Sequence, residues 1–286
     1  ACELMYGRAA YLQALLLVRE TLHDPAFGAE EATQVLSQLL HEGAKTAMNS
    51  GYPGGLRLVW TYHETEYLGA GHGVAGIFFT LLQLLPDVLR LEQAEEKEEK
   101  MSGNLSCGWI GEIRSSILAL VDAQMHSGNL PRSTASSADH ILSWSSGAPG
   151  FIALFLRAAA ADELYLSSTS EQFTRDRQRL RDAAAHAGEI TWQRGALCHG
   201  VGIFKGIAGC VYGLLFLAKS SIGNSDPRWL RRAQQLTIHA TKNFDALETV
   251  LDMAPCNLWE GSAGLCCALF DILGDSHLAN IPGYGS

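Results

Sequence analysis

WQRGALCHGVGIFKGIAGCVY, residues 192–212, decides how this chain is read. A turn-rich lead-in reaches the unit Gly206-Ile207-Ala208-Gly209, and an apolar helical run continues to Leu217. The same unit returns as Gly73-Val74-Ala75-Gly76, Gly147-Ala148-Pro149-Gly150 and Gly261-Ser262-Ala263-Gly264. A looser copy stands at Gly7-Arg8-Ala9-Ala10. Each copy opens an apolar run. Recurrence at intervals of several dozen residues marks a repeat architecture.

Outward from these units, the chain alternates between two kinds of helix. Apolar helices are expected over 6–20, 73–85, 107–124, 147–161, 206–220 and 261–273, and amphipathic ones over 29–48, 170–190 and 227–244. Asp24-Pro25 and Pro86-Asp87 read as helix stops, and Leu91 to Lys100 as a solvated helix end or loop. Leu56 to Tyr62 is the only short extended piece expected. An apolar helix must be enclosed on most sides, whereas an amphipathic one can face water. The pattern therefore predicts an all-α fold, an (α/α) toroid with an inner ring of helices wrapped by an outer one. No stretch reads as a linker, so residues 1–286 are expected to form a single domain. Glycines at the helix mouths let backbones approach closely and leave the first N–H groups open to anions.

Bulk properties narrow the function classes. The chain has 286 residues, a net charge of -9 and 47% hydrophobic residues. The acidic balance excludes a nucleic-acid footprint, which needs a clustered basic surface. Seven cysteines, with Cys266 and Cys267 adjacent in an apolar run, fit reduced thiols in a cytoplasmic protein better than a secreted disulfide framework. No apolar run reaches bilayer length, which leaves peripheral contact with the plasma membrane as the membrane role to consider. The chain starts at Ala1 and enters a glycine unit almost at once, so a missing N-terminal piece is expected.

Five strings carry a resemblance. They are ELMYGRAAYLQALL at 3–16, LGAGHGVAGIFF at 68–79, SGNLP at 127–131, SWSSGAPGF at 143–151 and LWEGSAG at 258–264. The chain resembles the eukaryotic LanC-like proteins, relatives of the lanthionine cyclases. That resemblance implies an (α/α) toroid of seven hairpins, of which only five units are evident. The expected ring is therefore incomplete at its N-terminus. It also implies a chemistry: zinc held by two cysteines and a histidine binds a thiol as thiolate, which adds to a dehydroamino acid to form a thioether. In the eukaryotic relatives the thiol is glutathione. Two thiolates and an imidazole suit zinc, and an open fourth position takes the nucleophile.

The metal positions depart from the family pattern. Ser145 stands where the first cysteine belongs, and Phe204 and Lys205 stand where the Cys-His pair belongs. A phenyl ring cannot ligate zinc, a lysine ammonium repels it, and a neutral serine is a poor ligand for a soft metal. No cofactor is therefore expected, and catalysis is expected to be lost or altered. A Cys-His pair does occur six residues upstream of the family place, at Cys198-His199. It reads as an unspecialised loop, as a replacement thiol–imidazole pair, or as a rearranged zinc site with another cysteine such as Cys256. By resemblance, His72 is the proton donor or shuttle for the enolate formed on thiol addition. Arg8 and Lys205 are candidates for binding the carboxylates of glutathione or of a dehydroamino-acid peptide. Glu260 reads as a capping carboxylate. A non-catalytic scaffold for kinases or membranes is the rival from a different class.

Overall fold

The glycine units stand at the starts of helices because the chain passes so close to itself there that a side chain has no room. In the computed structural model, which describes residues 1–52, 54–102, 108–164, 170–223, 226–248, 256–275 and 279–284, there are eleven α-helices. The first five are α1 (Arg8–Leu22), α2 (Ala29–Asn49), α3 (Val74–Gln83), α4 (Leu85–Ser102) and α5 (Trp109–Asp122). They are followed by α6 (Ala148–Leu164), α7 (Glu171–Arg194), α8 (Ile207–Lys219), α9 (Arg228–Lys242), α10 (Phe244–Glu248) and α11 (Ser262–Leu273). Gly7, Gly73, Gly206 and Gly261 cap α1, α3, α8 and α11 in extended conformations open to any residue. Space rather than conformation requires glycine there, since a Cβ on Gly7, Gly73 or Gly206 would lie 2.5 Å from backbone atoms, and the second glycine of each unit is held as tightly. A Cβ on Gly76, Gly150, Gly209 or Gly264 would collide with the carbonyl oxygen of Ala70, Trp144, Ile203 or Leu258, each six residues earlier.

The apolar helices pack in chain order, α1 on α3, α3 on α6, α6 on α8 and α8 on α11. Every residue of α8 from Ile207 to Leu217 is buried, and α3 is buried from Val74 to Leu82. The outer helices bury only one stripe. In α9 that stripe is Trp229, Ala233, Leu236, Thr237 and Ala240, the three-to-four spacing of one helical face. α7 covers α6, α9 covers α8, and α2 lies against α1 and α4. This is the two-layer helical arrangement of an α/α toroid. A buried ion pair, Arg19 Nη1 to Asp87 Oδ2 at 3.0 Å, ties α1 to α4. The helices at the two ends of the inner series differ from the rest. They leave Leu17 and Leu22 of α1 and Phe270 and Leu273 of α11 in solvent, the last two 77% and 81% exposed. The segment 279–284 runs back into the core, where Tyr284 stacks on Phe79 at 4.2 Å and meets Trp144 edge-on at 5.1 Å.

Some boundaries depart from the expectations above. α3 ends at Gln83, before Pro86 as expected, but a new helix begins at once, and Pro86 sits in the first turn of α4, where its missing N–H costs nothing. α4 then continues through the charged run, which is helical to Ser102. Leu56 to Tyr62 belongs to no named strand, and among the described residues the β pairing is limited to the bridges Tyr62–Thr65 and Tyr67–Ser133. Among the described residues no single helix is long and apolar enough to cross a membrane.

The close backbone approach makes a direct prediction. Gly209→Ala should cost about 1–3 kcal/mol through overpacking against Ile203 and Trp144. Gly111→Ala, on exposed α5 surface with nothing within 4 Å of the new methyl, should be neutral or stabilise by about 0.5 kcal/mol. Urea denaturation of both variants measures the contrast.

Candidate functional site

The loops that lead into the inner helices are stitched to one another by backbone hydrogen bonds. Gly71 N–H donates to Ser145 C=O at 3.2 Å, Ser145 N–H to Phe204 C=O at 3.0 Å, and Phe204 N–H to Trp259 C=O at 2.6 Å. Four glycine-led mouths are thus brought to one rim, with Ser145 and Phe204 in the middle of the chain of bonds. The ring of Phe204 lies against Gly71, where even a methyl group would strike it.

His72 stands on this rim with a partner that no spacing argument could supply. Its Nδ1 lies 2.9 Å from Oε2 of Glu3, a carboxylate only 1% exposed. The same carboxylate accepts the N–H groups of Met5 and Tyr6 at 2.7 and 2.8 Å, which holds it in place. A carboxylate can only accept, so Nδ1 carries the proton and a neutral His72 presents its lone pair on Nε2. The imidazole is stacked on Tyr62 at 4.5 Å and meets Phe204 edge-on at 5.3 Å. This is an oriented imidazole in an aromatic surround.

Beyond Phe204 and Ser145 lies a cleft of about 330 Å³. It is lined by Arg132, His140, Ser145, Ser146, Arg194, Cys198, His199 and Lys205 among others. Cationic and histidine side chains gather here on a chain whose net charge is -9. Arg132 lies over the Tyr67 ring at 5.3 Å. Arg194 is anchored by Asp139, with Nη1 2.6 Å from its carbonyl and 3.1 Å from Oδ1. Burial opposes the Asp139 carboxylate, but hydrogen bonds from Arg194, Ser127 and Asn129 outweigh it and hold its pKa below the ordinary value. The hydroxyls of Ser143, Ser145 and Ser146 form a chain with links of 3.1 and 3.3 Å.

The sequence-predicted residues are distributed unevenly over this site. Lys205, Cys198 and His199 share the cleft. His72 is not among the residues that line the cleft; it meets the Phe204 ring. Arg8 lies elsewhere: its Nη1 pairs with Glu42 at 2.7 Å and with Cys2 Sγ at 3.1 Å, and it is not among the residues that line the cleft. Cys198 and His199 face different surroundings. The thiol turns inward to Leu142 C=O at 3.3 Å and Cys210 Sγ at 3.2 Å, while the imidazole stays exposed. Glu260 makes no side-chain cap on α11; Asn257 Oδ1 ties that loop by accepting from Trp259 and Glu260 N–H. Glu3, Arg132, His140, Arg194 and Cys210 were missed by sequence reasoning. Cys210 had a signal, since it lies inside the stretch that decides the fold.

The donor set at the family's metal positions does not fit zinc. Ser145 is buried in a hydroxyl chain, Phe204 offers a ring, and Lys205 offers a cation. Among the described residues no three His, Cys, Asp or Glu side chains gather closely enough to hold a metal ion.

Glycine-led inner helices wrapped by an outer layer, with their mouths joined on one rim, define the toroid class of this protein. The chain matches the family described as "Lanthionine synthetase C-like protein" over residues 1–284, and it belongs to that family. It is 28% identical to "Glutathione S-transferase LANCL1" of Danio rerio over 271 residues, 95% of this chain and 59% of that protein. It is 26% identical to "LanC-like protein GCL1" of Arabidopsis thaliana over 289 residues, 99% of this chain and 57% of that protein. The chain thus spans less than two thirds of the length of either relative.

The Asp139–Arg194 anchor makes the cleft wall sensitive to acid. A depressed carboxylate pKa adds stability that is complete above the ordinary aspartate value of about 4 and is lost as pH falls through the lower folded value. Asp139→Asn should flatten that acid limb. Urea midpoints measured at several pH values below about 5 report it.

Proposed function

We propose that this LanC-like chain binds an anionic thiol of the glutathione class, or a dehydroamino-acid peptide, in the cleft beside Lys205, without the family's zinc-activated thiol step. One observation carries the reading: the rim keeps a cationic cleft and an oriented imidazole, while its metal positions hold Ser145, Phe204 and Lys205. The name of the Danio rerio relative supports glutathione as the ligand class. A volume of about 330 Å³ falls within the lower range of small-molecule sites.

In this reading Lys205 and Arg132 meet carboxylates, and Arg194 is held rigid by Asp139 to do the same. The serine hydroxyls offer donors to a peptide carbonyl. His72 and Glu3 can hold or pass a proton at Nε2, but no thiolate is generated by a metal. A thiol at neutral pH is mostly protonated, and zinc is the family's remedy for that. Thioether formation is accordingly absent or much slowed, and binding is the retained property. A working zinc enzyme built on Cys198, His199 and Cys256 is disfavoured by the inward turn of Cys198 toward Cys210.

Two measurements test this. Titration calorimetry should detect glutathione binding to the full chain, weakened at least about tenfold, ~1.4 kcal/mol, by Lys205→Glu. Purified protein should carry substoichiometric zinc, whereas the combined Ser145→Cys, Phe204→Cys and Lys205→His variant should gain about one zinc by metal analysis. Stoichiometric zinc in the unaltered chain, lost on Cys198→Ser, overturns the reading.

A further inference from the structure

Cys198 and Cys210 lie twelve positions apart in sequence, and their sulfurs are 3.2 Å apart. A disulfide bond is about 2.05 Å long, so the sulfurs need to close by only about 1 Å. The two residues are built for unequal roles. Cys210 is fully buried near the start of α8, where the helix holds its sulfur in place. Cys198 follows the short 3-10 turn Gly195–Leu197, in a segment with no regular structure before α8. Cys198 also borders the cationic cleft, whereas Cys210 does not. The hydrogen bond to Cys198, together with burial, pushes the Cys210 thiol well above its ordinary pKa. Cys198 is itself buried and turned toward Cys210, but it borders the cleft and Cys210 does not; of the two it is the sulfur nearer a reagent in the cleft, and Cys210 the one that follows.

We propose that Cys198 and Cys210 are a redox-active thiol pair, oxidised to an intramolecular disulfide by glutathione disulfide arriving through the cleft. The choice of oxidant rests on reading the cleft as a glutathione site; the sulfur contact does not. Glutathione disulfide carries more carboxylates than ammonium groups, which matches the Arg132, Arg194 and Lys205 lining. The Cys198 thiolate attacks one sulfur of the oxidant, breaks its S–S bond and releases one glutathione. Cys210 loses its proton, attacks the Cys198 sulfur and releases the second glutathione. Both cysteines are oxidised by one electron each, the oxidant is reduced to two thiols, and the cysteine protons end on the released glutathiones. The product pins the 198–206 segment to α8 and removes the thiol from the cleft wall.

The test exposes the reduced full chain to glutathione disulfide and, in parallel, to hydrogen peroxide, which needs no binding site. Free thiols are then alkylated and non-reduced peptides mapped by mass spectrometry. The expected result is a 198–210 cross-link with glutathione disulfide, abolished by Cys198→Ser. Cys210→Ala should instead trap a glutathione adduct on Cys198. Both cysteines alkylated after either oxidant, or a persistent Cys198 adduct in the unaltered chain, overturns the pair. A cross-link with peroxide alone overturns the assignment of glutathione disulfide as oxidant. Calorimetric glutathione binding without any cross-link retires the thiol pair and leaves the proposed binding function standing. The cross-link in the unaltered chain decides the matter even where Cys210→Ala fails to fold.

Discussion

The whole arrangement depends on a repeated steric constraint: the second glycine of each unit lies against a carbonyl oxygen six residues upstream. At Gly76, Gly150, Gly209 and Gly264 that contact folds the incoming loop back onto the first turn of its helix. Only then can neighbouring loops reach one another with backbone hydrogen bonds, from Gly71 to Ser145, from Ser145 to Phe204 and from Phe204 to Trp259. The rim is therefore made by backbone, and it persists whatever side chains it carries. That explains how a family rim survives here with Ser145, Phe204 and Lys205 in place of metal donors.

What the rim offers instead is charge and orientation. A cationic cleft sits on an acidic chain, so anionic ligands meet a local field opposite to the molecule's overall sign. Phe204 meets His72, which is held by Glu3 and stacked on Tyr62. The aromatic ring that stands at a metal position thus packs against the imidazole instead.

Much of the fold was legible because its signals are local. Glycine units, apolar runs and one-sided stripes each lie within about twenty residues, and the helices fell where those patterns put them. Pro86 marked the end of α3 correctly, but a proline can also begin the next helix, and the start of α4 at Leu85 was not legible. The site was only half legible. The replacements at Ser145, Phe204 and Lys205 could be read against a pattern, and so could His72. Glu3 could not, since nothing in its neighbourhood points to a residue 69 positions away. Arg8 looked available because its partner Glu42 lies on another helix. Cys198 and His199 looked like a pair because adjacency in sequence hides that one side chain turns in and the other out.

The inward course of residues 279–284 has a wider effect. Tyr284 touches Trp144, Trp144 lies 6.3 Å from Phe204, and Phe204 meets His72. An unbroken file of rings therefore runs from the last described residue to the imidazole. Residues 279–284 thus brace the rim that carries His72.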